Sequence, residues 1–139
     1  MESLTQLIYV STAAADTDVA AVQRILDVAR RHDATHGISG ALLVNGGHFL
    51  QVLEGRAEDV NALYARIRRD RRHHHVALVD FGPLKQREFE GWAMRHVPGP
   101  RGHDRGVTGF LDELAASPDT ERAHTALVLM QRLASATAK

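Results

Sequence analysis

Two polar side chains lie inside apolar runs of this chain, and both could take part in chemistry. Gln51 interrupts the run at residues 49–53, and Tyr9 lies in the β-prone run at residues 7–10. A buried amide without hydrogen-bond partners costs about 1–3 kcal/mol, so we expect a partner beside Gln51. A phenol on a neighbouring strand is one such partner, although either residue alone is also explained as an ordinary strand residue.

Trp92 and Met94 add an aromatic ring and a thioether to this pair. They are two positions apart within residues 89–97, which we predict to hold a short fifth strand. Residues two apart on a strand point to the same face of the sheet. With Tyr9 and Gln51 they form a constellation that could line a pocket between a sheet and a helix.

The remaining polar motifs carry weaker signals. Residues 37–40, Gly-Ile-Ser-Gly, lack the spacing of a Gly-x-Ser-x-Gly nucleophile elbow, and no P-loop or dinucleotide glycine motif occurs. The three histidines at residues 73–75 would alternate between the faces of a strand and chelate poorly, so we expect no metal site. The polar loop at residues 32–36 could contact a ligand or be an ordinary capping loop.

The periodicity of the apolar residues predicts the elements that position these side chains. Strands are predicted at residues 4–11, 41–44, 49–53, 76–81 and within 89–97, with an Asn45-Gly46 turn between the second and third. Helices are predicted at residues 18–32, 57–70, 107–116 and 118–135, the last with Ser117 as its cap and Pro118 in its first turn.

This order is βαββαββ followed by two helices, which predicts an α+β sandwich of ferredoxin-like type. In such a sheet the first and third strands are central neighbours, and the two long helices cover one face. The C-terminal helix pair cannot bury its apolar stripes alone, so it must pack on the free face or on another chain. A breaker-rich linker begins at Pro98 and divides residues 1–97, the sheet domain, from residues 98–139, the linker and helix pair.

The composition narrows the class of protein. A chain of 139 residues without cysteine is long enough to bury a core, and it has no thiolate nucleophile or cysteine-ligated metal. Its 17 basic and 17 acidic side chains balance, which argues weakly against nucleic acid as a partner. No apolar run reaches the roughly 18 residues of a transmembrane helix, and no signal peptide is visible, so a soluble cytoplasmic protein is expected.

Five segments, taken in order, resemble the successive motifs of BLUF domains, which are blue-light sensors that use FAD. The most specific are Phe-Leu-Gln-Val-Leu-Glu-Gly at residues 49–55 and Asp-Arg-Arg-His at residues 70–73. The others are residues 7–11, 37–43 and 87–94, and the similarity as a whole spans roughly residues 4–97. The C-terminal helices resemble the cap of short, stand-alone BLUF proteins, so we expect a sensor and not an enzyme.

The resemblance implies a photochemical role for the constellation. Tyr9 matches the tyrosine that gives an electron and a proton to the excited flavin, and Gln51 matches the glutamine that bridges this tyrosine to flavin N5 and O4. After light, the amide rotates or tautomerises, which strengthens a hydrogen bond to O4 and shifts the absorption slightly to the red. Trp92 and Met94 match a pair that exchange places near Gln51 and pass the signal to the C-terminal helices.

The resemblance also implies that FAD is bound non-covalently between the two long helices, although FMN or riboflavin would also fit. The implied contact residues are Tyr9, Ile25, Ala29, His32, Asp33, Gln51, Arg66 and His73.

Asp33 departs from the family pattern, which has an asparagine at this position. An ionised carboxylate only accepts hydrogen bonds, so it would repel a flavin carbonyl while still accepting from a ring N–H. We expect Asp33 to be partly protonated or paired with Arg66 or a neighbouring arginine, with altered flavin affinity or photocycle rate. Titration of the flavin absorbance against an Asp33→Asn variant tests this, and identical spectra and kinetics would contradict it.

Two other classes of function compete with the photoreceptor. Small βαββαβ domains include acylphosphatases, but the chain has no Gly-rich phosphate cradle near its first strand. A light-insensitive interaction module with the BLUF fold and lost or altered flavin binding is the stronger alternative, because of Asp33. A photoreceptor of this kind would act on an unidentified downstream protein or through a homo-oligomer, with neither nucleic acid nor membrane as its partner.

Overall fold

The structure is a computed structural model that describes residues 3–13, 23–24, 26–28, 30–31, 37–45, 47–71, 73–92, 94–98 and 105–137. The helical residues at 23–24, 26–28 and 30–31 are called α1. The other elements, in chain order, are β1 (Leu4–Ala13), β2 (Ser39–Asn45), β3 (His48–Arg56), α2 (Ala57–Arg68), β4 (His73–Leu84), β5 (Arg95–Pro98), α3 (Arg105–Ala116) and α4 (Glu121–Thr137). The predicted βαββαββ order with two C-terminal helices is confirmed.

The five strands form one mixed sheet in the order β4-β1-β3-β2-β5. All neighbours are antiparallel except β2 and β5, which are parallel. The strands β1 and β3 are therefore central neighbours, as predicted. Their register places Tyr9 directly opposite Gln51, so the two polar residues of the apolar runs meet across one strand pair.

Each face of the sheet is covered by its own layer of helices. On the α1/α2 face, Leu7, Tyr9 and Leu53 pack with Leu26 of α1 and Leu63 of α2. The α3/α4 face has a separate cluster, in which the strand residues Ile8, Val10 and Val52 pack with the helix residues Leu111, Leu114, Ala126 and Met130. Alternate residues of the central strands thus serve two different cores, which is why these strands are apolar throughout.

The C-terminal helices pack on the sheet of their own chain, the first of the two predicted arrangements. Besides the apolar contacts, two polar contacts join α3 to the end of the β2–β3 hairpin. The Asn45 amide donates to Thr108 Oγ1 at 3.2 Å, and His48 Nε2 lies 2.6 Å from Asp112 Oδ1. In the part of the chain that the structure describes, no helix is both long and apolar enough to cross a membrane.

The hairpin turn differs from its predicted position by one residue. Asn45 pairs with His48, so the loop consists of residues 46 and 47 and not of Asn45 and Gly46. Gly46 itself lies outside the described residues, while Gly47 has a φ of 81°. Glycine tolerates this left-handed conformation better than asparagine, which explains why Gly47 and not Asn45 lies within the loop.

The start of α4 also differs from the prediction. The helix begins at Glu121 and not at Pro118. The Asp119 carboxylate accepts the backbone N–H of Glu121 at 2.9 Å, so an aspartate and not Ser117 supplies a side-chain acceptor at this end. Aspartate satisfies the free N–H groups of a helix start as well as serine does.

Candidate functional site

The centre of the site is the buried pair of Tyr9 and Gln51. Both side chains are 0% exposed, and their strands hold them directly opposite each other. The Tyr9 hydroxyl donates a hydrogen bond to Gln51 Oε1. The prediction that the buried amide has a polar partner is therefore confirmed, and the partner is the phenol of the neighbouring strand.

The other end of the Gln51 amide faces Met94. Gln51 Nε2 lies 3.2 Å from Met94 Sδ, and Met94 is fully buried on the same α1/α2 face. A thioether is only a weak acceptor, whereas an amide nitrogen carries two hydrogens. The donor end of Gln51 is thus weakly engaged by Met94 and has the chemistry to donate to a ligand carbonyl or ring nitrogen.

The surroundings of Tyr9 keep its phenol neutral. Burial raises the pKa of Tyr9 well above its ordinary value, and the nearby Tyr64 and Asp70 raise it further. The Tyr64 ring of α2 lies 5.6 Å from the Tyr9 ring, and the Arg68 guanidinium lies 5.6 Å above the Tyr64 ring. Since the phenol stays protonated, its O–H is available as a donor to Gln51 over the whole physiological pH range.

Trp92 and Met94 do not share a face, and the prediction of a strand through both is wrong. The strand β5 begins only at Arg95, and Met94 has a φ of 55°. Met94 belongs to the α1/α2 core, whereas Trp92 is half-buried and packs against the α3/α4 core. The backbone turns between them, because a left-handed residue breaks the two-residue alternation of an extended strand.

Sequence reasoning placed further residues near a cofactor, and the structure locates two of them. Arg66 lies in the last turn of α2 and is exposed. His73 begins β4, where its backbone pairs with Ala13 of β1. The predicted contacts Ile25, Ala29, His32 and Asp33 lie outside the described residues, so their roles stay predictions.

The predicted absence of a metal site concerned residues 73–75. The rings of His74 and His75 are 4.6 Å apart in an edge arrangement, and both residues are exposed. Across the described ranges, no group of three His, Cys, Asp or Glu side chains is placed to hold a metal ion.

Sequence reasoning missed two polar residues, one beside Tyr9 and one on the opposite face of the sheet. Tyr64 repeats at helical spacing with the apolar residues Val60, Leu63 and Ile67 of α2, and this spacing was the signal that it faces the sheet. Glu54 is 0% exposed and accepts hydrogen bonds from Gln6 Nε2 at 2.9 Å and from Ser39 Oγ at 3.2 Å. A carboxylate three positions after Gln51 in a buried strand was the available signal for this second polar centre.

Comparison with known proteins identifies the family. The model of the BLUF family, described as sensors of blue-light using FAD, matches residues 4–95. The chain therefore belongs to the BLUF family, and residues 4–95 correspond to its flavin-binding sensor of blue light.

Curated relatives contain this domain within longer chains. The blue light- and temperature-regulated antirepressor BluF of Escherichia coli is 36% identical over 85 residues, which cover 60% of this chain and 21% of BluF. The photoactivated adenylate cyclase subunit beta of Euglena gracilis is 39% identical over 87 residues, which cover 63% of this chain and 10% of the cyclase subunit. The chain thus spans about a fifth or a tenth of these relatives.

A solved structure of similar length matches nearly the whole chain. The dark-state structure of BlrB, a BLUF protein, has a TM-score of 0.72 and 28% identity, and the match covers 98% of each chain. The ground state of BlsA has a TM-score of 0.73 at 20% identity, which shows the likeness of fold alone.

Proposed function

We propose that this protein is a blue-light photoreceptor in which Tyr9, Gln51 and Met94 form the photoactive unit around non-covalently bound FAD. The observation that carries the proposal is the buried chain of contacts from the Tyr9 hydroxyl through the Gln51 amide to Met94 Sδ. The flavin, when bound, supplies the absorption of blue light and an excited state that accepts an electron. Besides Tyr9 and Gln51, the residues that would hold it are Ile25, Ala29, His32, Asp33, Arg66 and His73.

Tyr9 is the electron and proton donor in this proposal. Its phenol is the buried redox-active group in direct contact with Gln51, and its raised pKa keeps the proton on the oxygen in the dark. Loss of an electron makes a phenol strongly acidic, so the proton then leaves along the existing hydrogen bond. That bond ends on Gln51 Oε1, which makes the glutamine the first group to respond.

Gln51 is the switch in this proposal, because its amide has unlike partners at its two ends. In the present orientation the oxygen accepts from Tyr9 and the nitrogen donates to Met94. Rotation exchanges the two ends of the amide, so that Oε1 and not Nε2 faces Met94 Sδ. A thioether has no hydrogen to donate, so Met94 loses its polar contact and is free to move away. Tautomerisation instead places a proton on Oε1 and leaves one hydrogen on Nε2, and Met94 loses its contact when that hydrogen points away from the sulfur.

The signal then leaves the site through residues 92–94. Trp92 contacts the core beneath α3 and α4, whereas Met94 contacts Gln51, so a shift of this short segment reaches both faces of the sheet. We propose that residues 98–139 are the output segment and act on a downstream protein or on a homo-oligomer. In this proposal the domain acts as a sensor and not as an enzyme, whereas relatives that contain it are named as adenylate cyclase subunits and as an antirepressor.

An absorption spectrum before and after blue light tests the proposal, with Tyr9→Phe as the decisive variant. The wild-type protein should be yellow, shift its flavin band slightly to the red, and relax in the dark. Tyr9→Phe should bind flavin and lose the shift, whereas Tyr64→Phe, the matched control on α2, should keep it. Chromatography of the released flavin distinguishes FAD from FMN and riboflavin.

The same experiment separates the alternatives. A yellow wild-type protein without a shift would contradict the photochemical roles of Tyr9 and Gln51 and direct attention to Asp33. A colourless protein that also rejects added FAD would favour the light-insensitive interaction module. A full shift in Tyr9→Phe would remove this tyrosine from the mechanism.

A further inference from the structure

A second buried polar centre lies on the opposite side of the sheet from Gln51. Besides its cross-strand partners, the Glu54 carboxylate accepts the backbone N–H of Glu88 at 3.0 Å and that of Phe89 at 2.9 Å. Arg87 Nη1 donates to Ser39 Oγ at 2.8 Å and to the backbone oxygen of Glu54 at 2.9 Å. The group made by Glu54, Ser39 and Arg87 is called the Glu54 anchor below.

The Glu54 anchor holds the start of the segment that leads to the switch. Four donors converge on the two oxygens of one fully buried carboxylate. Hydrogen bonds to a charged acceptor are stronger than neutral ones, and breaking a buried set leaves donors without partners. Residues 87–89 are therefore fixed to β3, although they belong to no regular strand or helix.

A continuous set of contacts runs from this fixed point to Met94. The centre of the Phe89 ring lies 5.1 Å from that of the Trp92 ring. The backbone N–H of Trp92 donates to the backbone oxygen of Phe89 at 3.1 Å. The backbone oxygen of Trp92 in turn accepts hydrogen bonds from the backbone N–H of Gly40 at 3.1 Å and from that of Met94 at 2.9 Å. Each step is short, so the position of Phe89 sets where the turn at Trp92 can lie.

The far end of the segment is confined by the close approach of two strands. A Cβ on Gly40 would lie 1.9 Å from the backbone oxygen of Val52 and 3.0 Å from Met94 Cε. Only glycine leaves room for both neighbours. Met94 thus sits against β2 with its sulfur on Gln51, in a backbone conformation with positive φ that its surroundings must maintain.

We infer that Glu54 is a positioning residue for light sensing, because it fixes residues 87–94 so that Met94 meets Gln51 in the dark state. The inference rests on the proposed function, since it assigns Glu54 to the same switch from the other face of the sheet. Loosening the anchor raises the free energy of the dark arrangement relative to the lit one. The light-induced shift should then keep its size, while the return to the dark state slows.

The test compares Glu54→Gln with Glu58→Gln in the full-length, flavin-loaded protein. Glu58 lies on the exposed surface of α2, with its side chain 70% exposed, so it controls for loss of one carboxylate. In Glu54→Gln, hydrogen exchange at the Phe89 amide should accelerate about ten- to a hundredfold, because a neutral amide cannot accept all four donors. Dark recovery should slow about tenfold with an unchanged red shift, which a merely structural role would not produce.

Arg87→Gln is the second variant, because it leaves the buried carboxylate intact. It removes only the guanidinium that donates to Ser39 Oγ and to the backbone oxygen of Glu54. It should change exchange at Phe89 and dark recovery in the same directions by a smaller factor. Trp92 is the single tryptophan of the chain, so its emission reports the surroundings of this one ring in each variant.

Three outcomes would overturn the inference. If Glu54→Gln shows the same amide exchange at Phe89 and the same dark recovery as Glu58→Gln, the Glu54 anchor does not hold this segment. If exchange is faster but recovery is unchanged, the role of Glu54 is structural only. If neither variant folds, while Ser39→Ala folds with unchanged recovery, the anchor does not act on the switch. A wild-type protein without any red shift would contradict the proposed function itself. The wild-type spectrum is measured first, so this failure is distinguished from failure of the inference about Glu54.

Discussion

Gln51 and Glu54 lie three positions apart on β3, on opposite faces of the same sheet, and both are completely buried. Their polar surroundings differ sharply. Gln51 has one strong partner in the Tyr9 hydroxyl and one weak partner in the sulfur of Met94. The Glu54 carboxylate accepts four hydrogen bonds from two neighbouring strands and from the backbone of residues 88–89.

The difference separates a group that can change partners from a group that cannot. An amide with a thioether at its donor end loses little when it rotates, and it keeps the capacity to bond elsewhere. A carboxylate saturated by donors has no second arrangement of similar free energy in a dry core. One strand therefore carries the movable part on the α1/α2 face and the fixed part on the α3/α4 face.

The largest expected effect comes from removing the saturated group. Glu54→Leu should lower the free energy of unfolding by about 3–5 kcal/mol, because four donors lose their acceptor in a fully buried place. Urea denaturation followed by circular dichroism measures this, with Glu58→Gln as the exposed control. If Glu54→Leu lowers the free energy of unfolding by less than Gln51→Leu does, Glu54 is not the more firmly held of the two residues.

A smaller effect is expected when the movable group is removed. Gln51→Leu should cost about 1–3 kcal/mol, since it removes the acceptor of the Tyr9 hydroxyl but leaves a well-packed apolar side chain. The light-induced red shift should disappear entirely. The change at Gln51 therefore costs less stability than the change at Glu54 but abolishes the light response. Denaturation and a light-minus-dark spectrum on the same sample check both statements, and a retained shift would show that the amide is dispensable.

The smallest effect is a dependence of stability on alkaline pH. The folded-state pKa of Tyr9 is raised above 10.0, mainly by burial. Above about pH 10 the unfolded chain therefore binds fewer protons than the folded one, and stability falls by about 1.4 kcal/mol per pH unit until the raised pKa is reached. Denaturation between about pH 9 and 11 should show this slope.

Tyr9→Phe is the variant that isolates this slope. It should flatten the slope more than Tyr64→Phe, because the pKa of the half-buried Tyr64 is also raised by burial but is offset by Arg68. Equal slopes in wild type and Tyr9→Phe would mean that the phenol gains access to solvent before the protein unfolds.

The element order, the central pairing of β1 and β3, and the contact between Tyr9 and Gln51 could all be predicted from the sequence. These follow from local patterns, since apolar periodicity sets the type of an element and a polar residue inside a buried strand demands a partner. The motifs at residues 49–55 and 70–73 then indicated the family. The cofactor contacts on α1 stay predictions that rest on the resemblance.

The positions of residues 87–92 and of Met94 could be seen only in the tertiary structure. Alternation along a predicted strand placed Trp92 and Met94 on one face, but the positive φ of Met94 separates them onto two. The anchoring of Phe89 by Glu54 joins positions 35 residues apart. Neither feature leaves a trace in local periodicity, because both depend on which distant groups satisfy a buried carboxylate and on how closely Gly40 approaches β3.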